Sequence, residues 1–279
     1  MPVISIGCQK GGVSKSTLSA LTAWLMARAG KKTLLIDCDS QGNGSFLITR
    51  QNIYDFTGRT TLDAILEKGF KPYVLELSEK LHVVPAEDSL SDLEEFVYID
   101  WRDENPGLYK QFGHLFLLRQ ALQDVKDDYD YIILDLPPSP GLMTRMGLVA
   151  SDYAAVVMSC DMLCYEAVSR YLSILKGVQS RFNRDLRLLG IVPSLIDSRA
   201  GIDEGFLEKA RREYEDWVFK TTLRRNIKIK EFAATGFSDK YAVERKALEP
   251  YESLMKEMMS RVRKFEKGSV RGSRNASRQ

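Results

Sequence analysis

Short runs of apolar residues alternate along the chain with longer stretches in which apolar residues recur at helical spacing. The short runs are nearly continuous and rich in Val, Ile and Leu, which is typical of parallel strands buried on both faces. Six strands are predicted, at 3–7, 33–37, 81–85, 131–135, 154–159 and 186–193. Six helices are predicted between and after them, at 16–30, 62–68, 112–126, 163–182, 202–215 and 244–264.

This alternation predicts an α/β fold, a mostly parallel twisted sheet with helices on both faces. Ligands of such sheets bind at the carboxyl ends of the strands, so chemistry is expected just after Gly7, Asp37 and Asp135. One domain is expected over 1–267, with an irregular insertion at about 91–113. The stretch 268–279 is polar and rich in Gly and Ser, and we expect a disordered basic tail there.

The 279-residue chain has a formal net charge of +2, so its overall charge indicates neither a nucleic-acid nor a membrane partner. The charge is uneven, because residues 261–279 carry seven Lys or Arg and one Glu. The four cysteines form no CxxC pair and no set with metal-site spacing, which favours buried thiols in a reducing compartment. Without a signal-like start or a membrane-length apolar run, a cytoplasmic protein with no stable membrane association is expected.

The segment from 6 to 17 has the setting that a phosphate-binding loop requires, since it follows a predicted strand and opens a predicted helix. Backbone N–H groups of such a loop, together with the positive end of the helix, can surround a phosphate. Gly11 and Gly12 let the backbone approach the phosphate closely. Lys15 can then reach the β and γ oxygens, and Ser16 can place its hydroxyl on Mg²⁺.

The run K-G-G-V-x-K-S-T after a strand resembles the deviant Walker A motif of the ParA/MinD family of P-loop ATPases. A search for G-x-x-x-x-G-K-[ST] would miss it, because Gln9 and Ser14 replace the two glycines. In that family Gln is ordinary at the first position, whereas Gly is usual at the second, so Ser14 is a departure. The resemblance implies an ATP and Mg²⁺ site whose phosphate-binding residues are Lys10, Gly11, Gly12, Val13, Ser14, Lys15, Ser16 and Thr17.

The resemblance gives Lys10 a task different from that of Lys15, namely contact with the phosphates of a nucleotide bound to the facing subunit. A charge supplied across the interface stabilises the transition state, as an arginine finger does, and makes a homodimer depend on ATP. Lys10, Lys15 and Asp39 are therefore the expected catalytic residues. A solvated loop lysine is the alternative for Lys10.

Two predicted strands end in carboxylates. The segment D-C-D-S-Q-G-N at 37–43 is similar to the family's first switch, in which Asp39 positions the attacking water and Asp37 supports the Mg²⁺ shell. The strand at 131–135 ends in Asp135 before Leu-Pro-Pro, which matches the family's Walker B strand and second switch. The resemblance thus implies metal-site roles for Ser16, Asp37 and Asp135; a turn that only caps the strand is the alternative at 39–42.

A basic stretch rich in β-branched residues spans 221–230. Within it, Arg224-Arg225-Asn226 lines up with the family's Pro-Arg-Asn segment, which borders the adenine. The resemblance implies base recognition by Asn226. Arg224 stands in place of the usual proline and is included with Asn226 in the nucleotide site.

The resemblance also implies sequence-independent DNA binding, because Arg199 and Lys228 fall where ParA proteins carry basic DNA-binding residues. Arg225 and Lys230 complete this candidate set, and a solvated cationic strand is the alternative. The amphipathic stretch 251–265 resembles a membrane-surface helix of the MinD kind, but its spacing is more typical of a terminal helix packed on the sheet, which we prefer.

Together the motifs predict a short ParA-type ATPase whose ATP-dependent sandwich dimer binds nucleoid DNA non-specifically and partitions a plasmid or chromosome. A ParB-type centromere-binding partner is expected to stimulate its otherwise slow hydrolysis of ATP. The main alternative is a MinD-like membrane-associated positioning ATPase. A reductase similar to the nitrogenase iron protein is a second, although Cys160 and Cys164 are too close together for its cluster, and an ATP-binding switch that barely hydrolyses is a third.

Overall fold

The fold is built on one seven-stranded sheet. The computed structural model describes residues 1–160, 162–197 and 201–276, with side chains at the same positions except 162, 163 and 268–276. The strands are β1 Val3–Gly7, β2 Thr33–Asp37, β3 Leu75–Glu76, β4 Leu81–Val84, β5 Tyr131–Asp135, β6 Tyr153–Ser159 and β7 Arg187–Ser194. They lie in the order β3-β4-β2-β5-β1-β6-β7. Every neighbouring pair is parallel except β3–β4, so the predicted fold class is confirmed.

The central strands are buried along their whole length, which explains their continuous apolar sequences. β1 lies between β5 and β6, with Ile4 in register with Ile133 on one side and Tyr153 on the other. All six predicted strands are present. The two-residue strand β3 was not predicted, because a hairpin edge this short leaves no periodicity to detect.

The helices connect the strands and cover the sheet. The α-helices are α1 Lys15–Arg28, α2 Asn43–Thr49, α3 Thr61–Leu66, α4 Leu93–Phe96, α5 Arg102–Glu104, α6 Pro106–Lys110, α7 Leu117–Ala121, α8 Leu142–Ala150, α9 Met162–Arg181, α10 Gly201–Tyr214, α11 Ile227–Thr235 and α12 Ala242–Ala276. α12 packs against α1, α11 and β7, whereas α9 packs against α8 and β6.

The predicted helix at 112–126 is wrong as a single element. The chain there forms α7 flanked by 3₁₀ turns at Gly113–Phe116, Leu122–Asp124 and Lys126–Asp128. The Asp124 carboxylate accepts hydrogen bonds from the backbone N–H groups of Phe70 (3.1 Å) and Lys71 (2.9 Å). This long-range contact holds the chain in a short turn where a regular helix would continue, and no local pattern announces it.

Two helices beside the carboxyl edge of the sheet, α2 and α8, were not predicted. α8 contains Gly147, where an added Cβ would lie 2.3 Å from a methyl carbon of Leu136. Close packing against Leu136, which directly follows β5, therefore selects a residue that weakens the helical signal. The stretch at 221–230 also differs from a strand, because it becomes helical at Ile227 after Asn226 caps α11.

The region 91–113 is a series of short helical pieces, α4 to α6 with a π-helical turn at Val97–Trp101 between them. Trp101 is buried there, so this segment belongs to the hydrophobic core. The side chains beyond Lys267 lie outside the described residues, and the disordered basic tail therefore stays a prediction. No helix in the described ranges is long and apolar enough to span a bilayer.

The last helix, α12, buries the apolar positions of its 251–265 stretch. Leu254 and Met258 have no exposed surface, and Val262 is 1% exposed. The preferred interpretation, packing on the sheet, is confirmed. Arg261 fixes this helix to β7, because its guanidinium donates to the carbonyl oxygens of Leu189, Trp217 and Val218 at 3.1–3.2 Å and pairs with Glu257.

Replacement of Arg261 by Ala should lower the free energy of unfolding by about 2–4 kcal/mol, since it leaves three carbonyls without their guanidinium donor and removes the cation paired with Glu257. Urea denaturation measures this change. Lys256→Ala is the control, because the exposed pair of Lys256 with Glu252 contributes at most about 0.5 kcal/mol. Equal stability changes in the two variants would contradict the anchoring role of Arg261.

Candidate phosphate and metal site

The loop between β1 and α1 begins at a glycine that packing requires. An ideal Cβ added to Gly7 would lie 2.1 Å from the hydroxyl oxygen of Tyr171, a fully buried side chain. Gly11 and Gly12 are different, because an added Cβ at either would meet nothing within 4 Å. Packing therefore does not require glycine at these two positions. Because no side chain projects from either residue, a ligand can approach the loop backbone closely.

Ser14, the residue just before α1, has a left-handed backbone conformation with φ 66° and ψ 26°. Gly12 has φ 75°, so two positive φ angles occur within three residues of the loop. An L-residue in this region costs roughly 1–2 kcal/mol, whereas glycine costs almost nothing. The geometry explains why glycine is usual here: the loop demands this conformation whichever residue occupies the position.

The side chain of Lys15 is held inside the site, with the residue only 6% exposed. Burial raises the pKa of the neighbouring Asp135, and the charge of Lys15 and a hydrogen bond from the Ser16 side chain offset part of that rise. Ser19, one turn further along α1, donates from its hydroxyl to Asp135 Oδ1 at 2.9 Å. Asp135 Oδ2 is buried and has no hydrogen-bond partner among the described residues, so one carboxylate oxygen remains available for a ligand.

Asp37 ends β2 directly opposite Asp135, with which it is in register across the β2–β5 pair. Its Oδ2 accepts hydrogen bonds from both the backbone N–H and the hydroxyl of Ser45, each at 2.7 Å. An added Cβ at Gly44 would lie 3.0 Å from Asp37 Oδ2 and 3.0 Å from Asp135 Oδ2. The two carboxylates therefore converge on the first turn of α2.

Both carboxylates hold protons more tightly than usual. Burial, followed by the charge of Asp135, raises the pKa of Asp37 to about 8. Burial likewise raises the pKa of Asp135 to about 6. A cation between the two would replace the proton and satisfy the orphaned Asp135 oxygen, and oxygen ligands of this kind suit Mg²⁺. The residues present therefore fit a magnesium site.

Comparisons with known proteins agree with this geometry. A family model described as an AAA domain matches residues 1–188. The chromosome partitioning protein ParA of Myxococcus xanthus is 35% identical over 264 residues, covering 93% of this chain and 88% of that protein. The sporulation initiation inhibitor protein Soj of Bacillus subtilis is 32% identical over 241 residues, covering 84% of this chain and 88% of Soj. The chain belongs to the ParA/MinD family.

Solved structures share the fold. A cobyrinic acid a,c-diamide synthase from Mycobacterium smegmatis, solved with a bound ATP analogue and magnesium, has a TM-score of 0.76 and 25% identity, covering 92% of this chain and 93% of its own. A variant of McdA from Cyanothece, solved as its ATP complex, has a TM-score of 0.78, covering 93% of this chain and 96% of its own. Its identity is 18%, so this second match supports the fold alone.

In this ParA/MinD-family chain, the segment 37–43, predicted to be the first switch, lies against the same edge of the sheet. Asp39 is 6% exposed, and its Oδ1 accepts a hydrogen bond from the Gln41 N–H at 3.2 Å. Its backbone N–H in turn donates to Asp37 Oδ1 at 3.1 Å. This chain of bonds fixes Asp39 beside the carboxylate pair. Lys10 is half-buried in the phosphate loop.

The nucleobase candidates lie around the start of α11. Asn226 caps this helix, and its Oδ1 accepts a hydrogen bond from the Lys228 N–H at 2.9 Å, which leaves its amide NH₂ as a donor. Arg224 is exposed and paired with Glu204 at 2.8 Å. Arg225 donates from Nε to the Leu195 carbonyl at 3.1 Å. These contacts join the segment to the end of β7.

The candidate DNA-binding residues differ in how far their charges are exposed to solvent. Lys230 is exposed on α11, whereas Lys228 forms an ion pair with Glu231 at 2.5 Å that offsets its charge. Arg225 is exposed and carries the carbonyl contact above. Arg199 lies outside the described residues. Arg225, Lys228 and Lys230 thus lie on one short segment, on which the structure leaves Arg225 and Lys230 exposed.

The cysteines are buried behind the phosphate loop. Cys8 Sγ lies 3.9 Å from Cys164 Sγ, and hydrogen bonding with Cys164 together with burial raises the pKa of the Cys8 thiol. Cys160 is 4% exposed and Cys164 is fully buried. A cluster shared between subunits needs thiols at the subunit surface, so this placement weighs against the reductase alternative.

Three residues of the site were missed in the sequence, namely Ser19, Gly44 and Ser45. Ser19 and Ser45 fix the carboxylates, and Gly44 leaves room between them. A signal existed for Gly44 and Ser45, because they directly follow the first-switch segment. Ser19 has none, since an isolated serine within a helix is common.

Because the left-handed backbone at Ser14 is strained for any residue with a Cβ, glycine should give a more stable protein than alanine at this position. Inside an ordinary helix the order is the reverse. Ser14→Gly should be more stable than Ser14→Ala by about 0.5–1 kcal/mol, after allowance for the greater unfolded-state freedom of glycine. Urea denaturation measures the difference. At Ser173, an exposed position inside α9, the same pair should show the ordinary order, with Ala more stable by about 0.5–1 kcal/mol. The same order at both positions would contradict the strain.

The carboxylate pair predicts a pH dependence of stability without metal. The native pKa of Asp37, about 8, exceeds its ordinary value of 3.8, so the native state binds more protons between these limits. The contribution of Asp37 to stability is then fully present below about pH 4 and is lost toward pH 8, by on the order of a few kcal/mol. Urea denaturation at pH 5 and pH 8 with a chelator measures the loss. Asp37→Asn should shrink it and the exposed Asp55→Asn should not; an unchanged loss in Asp37→Asn would refute the effect.

Proposed function

We propose that this chain is a ParA-type partition ATPase that binds Mg·ATP in the β1–α1 loop and uses hydrolysis to release DNA. The observation that carries the proposal is the convergence of Asp37 and Asp135 on Gly44, beside buried Lys15, with Asp135 Oδ2 lacking a partner. The family's partition ATPases and the magnesium-bound ATP analogue in a neighbouring structure support it.

The residues of the site divide the work of phosphoryl transfer. The loop N–H groups and the first turn of α1 bind the phosphates, with Gly11 and Gly12 allowing close approach. Lys15 neutralises the β and γ oxygens. Ser16, Asp37 and Asp135 would hold magnesium, which supplies a cation that offsets the phosphate charge. Asp39, held by the Gln41 N–H, orients the attacking water.

A homodimer closes over the nucleotide in this proposal, and Lys10 contacts the phosphates bound to the facing subunit. Two phosphate-bearing faces repel each other unless cations lie between them, so the dimer depends on ATP and its bound cations. The added charge lowers the barrier to hydrolysis. Hydrolysis removes the γ-phosphate and with it the bias toward the dimer.

DNA is the proposed ligand of the dimer, bound without sequence preference by Arg199, Arg225, Lys228 and Lys230. Lysine and arginine side chains neutralise phosphates and release counterions, a contribution that does not read bases. A ParB-type partner would accelerate slow hydrolysis and so end DNA binding, and the protein would be cytoplasmic and nucleoid-associated. The MinD-like alternative loses support from the 251–265 stretch, whose apolar face is packed in the core.

DNA retention should depend on ATP and on the basic residues. Wild type should be retained on DNA with Mg·ATP and released with Mg·ADP, and Lys15→Ala should abolish the difference. Arg199→Ala and Lys230→Ala should each weaken retention and reduce the slope of log affinity against log salt by about 1. Co-sedimentation across a salt series measures this.

Lys80→Ala is the charge-matched control, because Lys80 immediately precedes β4 at the amino edge of the sheet and pairs with Glu79. It should leave retention unchanged. Retention that ignores both the nucleotide and the basic residues would refute DNA partition, and retention on anionic liposomes in place of DNA would favour the MinD-like alternative.

A further inference from the structure

Arg50 connects α2 with α11, two helices that are far apart in the sequence. It follows α2 directly, with a left-handed backbone at φ 64°, and its N–H donates to the Phe46 carbonyl at 2.9 Å. Its guanidinium lies over the Phe46 ring, 4.8 Å from the centroid. From there it donates hydrogen bonds to the carbonyl oxygens of Ala233 and Ala234, the latter at 2.8 Å.

These two carbonyls belong to the last turn of α11. The final carbonyls of a helix have no partners within the helix and form its negative end, so a guanidinium is a favourable ligand for them. The chain turns away at Gly236, with φ 83°, and Phe237 then packs on Trp24 of α1 with ring centroids 5.9 Å apart. Arg50 therefore contributes to a defined junction between α2 and the carboxyl end of α11.

The other end of α2 is attached to the metal site. Ser45, in its first turn, donates two hydrogen bonds to Asp37, and the Gly44 backbone lies against both Asp37 and Asp135. α2 has seven residues and so spans roughly 10 Å. Backbone hydrogen bonds from Phe46 to Gly42 and from Arg50 to Phe46, each 2.9 Å long, run along the whole helix and link Arg50 to the end that contacts Asp37.

The other end of α11 lies at the carboxyl edge of the sheet. Arg225, just before its cap, makes two contacts there: its N–H donates to the Ile196 carbonyl at 3.0 Å and its Nε to the Leu195 carbonyl. β7, which leads into these residues, is two strands from β1 and its phosphate loop. Asn226 thus caps a helix whose start lies at the carboxyl edge of the sheet and whose end is held by Arg50.

We propose that Arg50 is a positioning residue that couples the phosphate and metal side of the site to α11 and its cap residue Asn226. The inference rests on the proposed binding of Mg·ATP and deepens it. Arg50 itself touches neither phosphate nor base. It sets where α11 stands relative to α2, so that filling the metal site places Asn226 against the nucleobase.

The test compares two ligands that share phosphates and differ in the base. Mg·ATP engages both sides of the junction, whereas Mg·tripolyphosphate engages only the phosphate and metal side. Arg50→Ala should weaken Mg·ATP binding about threefold to thirtyfold, the range of typical coupling effects, and leave Mg·tripolyphosphate binding unchanged. Calorimetric titration of the full chain measures both affinities, and Arg50→Lys should restore part of the loss because it keeps the charge near the carbonyls.

Arg28→Ala is the matched control. Arg28 pairs with Asp239 in the segment just after α11, and both side chains are partly exposed, at 44% and 32%. The variant removes the same charge from the same neighbourhood without touching the α11 carbonyls. Both affinities should stay at the wild-type values, because an exposed ion pair contributes little.

A double-mutant cycle identifies Asn226 as the residue through which Arg50 acts. If Arg50 works by placing Asn226, then Asn226→Ala and the double variant should bind Mg·ATP equally well, so that the two losses do not add. Independent losses that multiply would overturn the coupling. Should Arg50→Ala fail to fold, the same comparison with Arg50→Lys decides the matter, with a smaller loss expected for Mg·ATP alone.

The outcomes separate this inference from the proposed function. Wild type that binds no Mg·ATP overturns both. Wild type that binds Mg·ATP, with Arg50→Ala losing neither ligand or losing both equally, overturns the coupling alone. A selective loss of Mg·ATP with rescue by Arg50→Lys supports it.

Discussion

The structure depends on holding two carboxylates, Asp37 and Asp135, side by side in a fully buried setting at one edge of the sheet. Taking a charge out of water costs several kcal/mol unless opposite charges and hydrogen bonds compensate. Lys15, Ser19 and Ser45 supply part of that compensation. Asp135 Oδ2 has no such partner among the described residues, and this is why the site is suited to a cation and a phosphate ligand.

The neighbouring elements follow from this requirement. β2 and β5 must be adjacent for their terminal carboxylates to meet. The first turn of α2 carries Gly44, where an added Cβ would lie 3.0 Å from an oxygen of each acid. The phosphate loop must bring positive charge close from the other side. It does so with a backbone in which Gly12 and Ser14 have positive φ, so the loop retains local strain beside an electrostatically demanding pair.

Side-chain contacts connect the carboxylate pair to a part of the fold outside the phosphate and metal site. Ser45 attaches α2 to Asp37, and Arg50 attaches the far end of α2 to the last carbonyls of α11. The charged chemistry of the phosphate side is thereby joined to the segment that carries Asn226, Lys228 and Lys230. Charge on this segment is partly offset within the chain by Glu231, so the proposed DNA binding would need several residues acting together.

The sequence by itself determined six of the seven strands, the phosphate loop and the two acidic strand ends. Continuous apolar runs, K-G-G-V-x-K-S-T and carboxylates at strand ends are local patterns, and strand ends meet wherever a parallel sheet forms. Only the tertiary structure decided the break in the helix at 112–126 and the partners Ser19 and Arg50. Each of these depends on contacts between residues far apart in the chain, such as Asp124 with Phe70 or Arg50 with Ala233, and local periodicity contains no information about them.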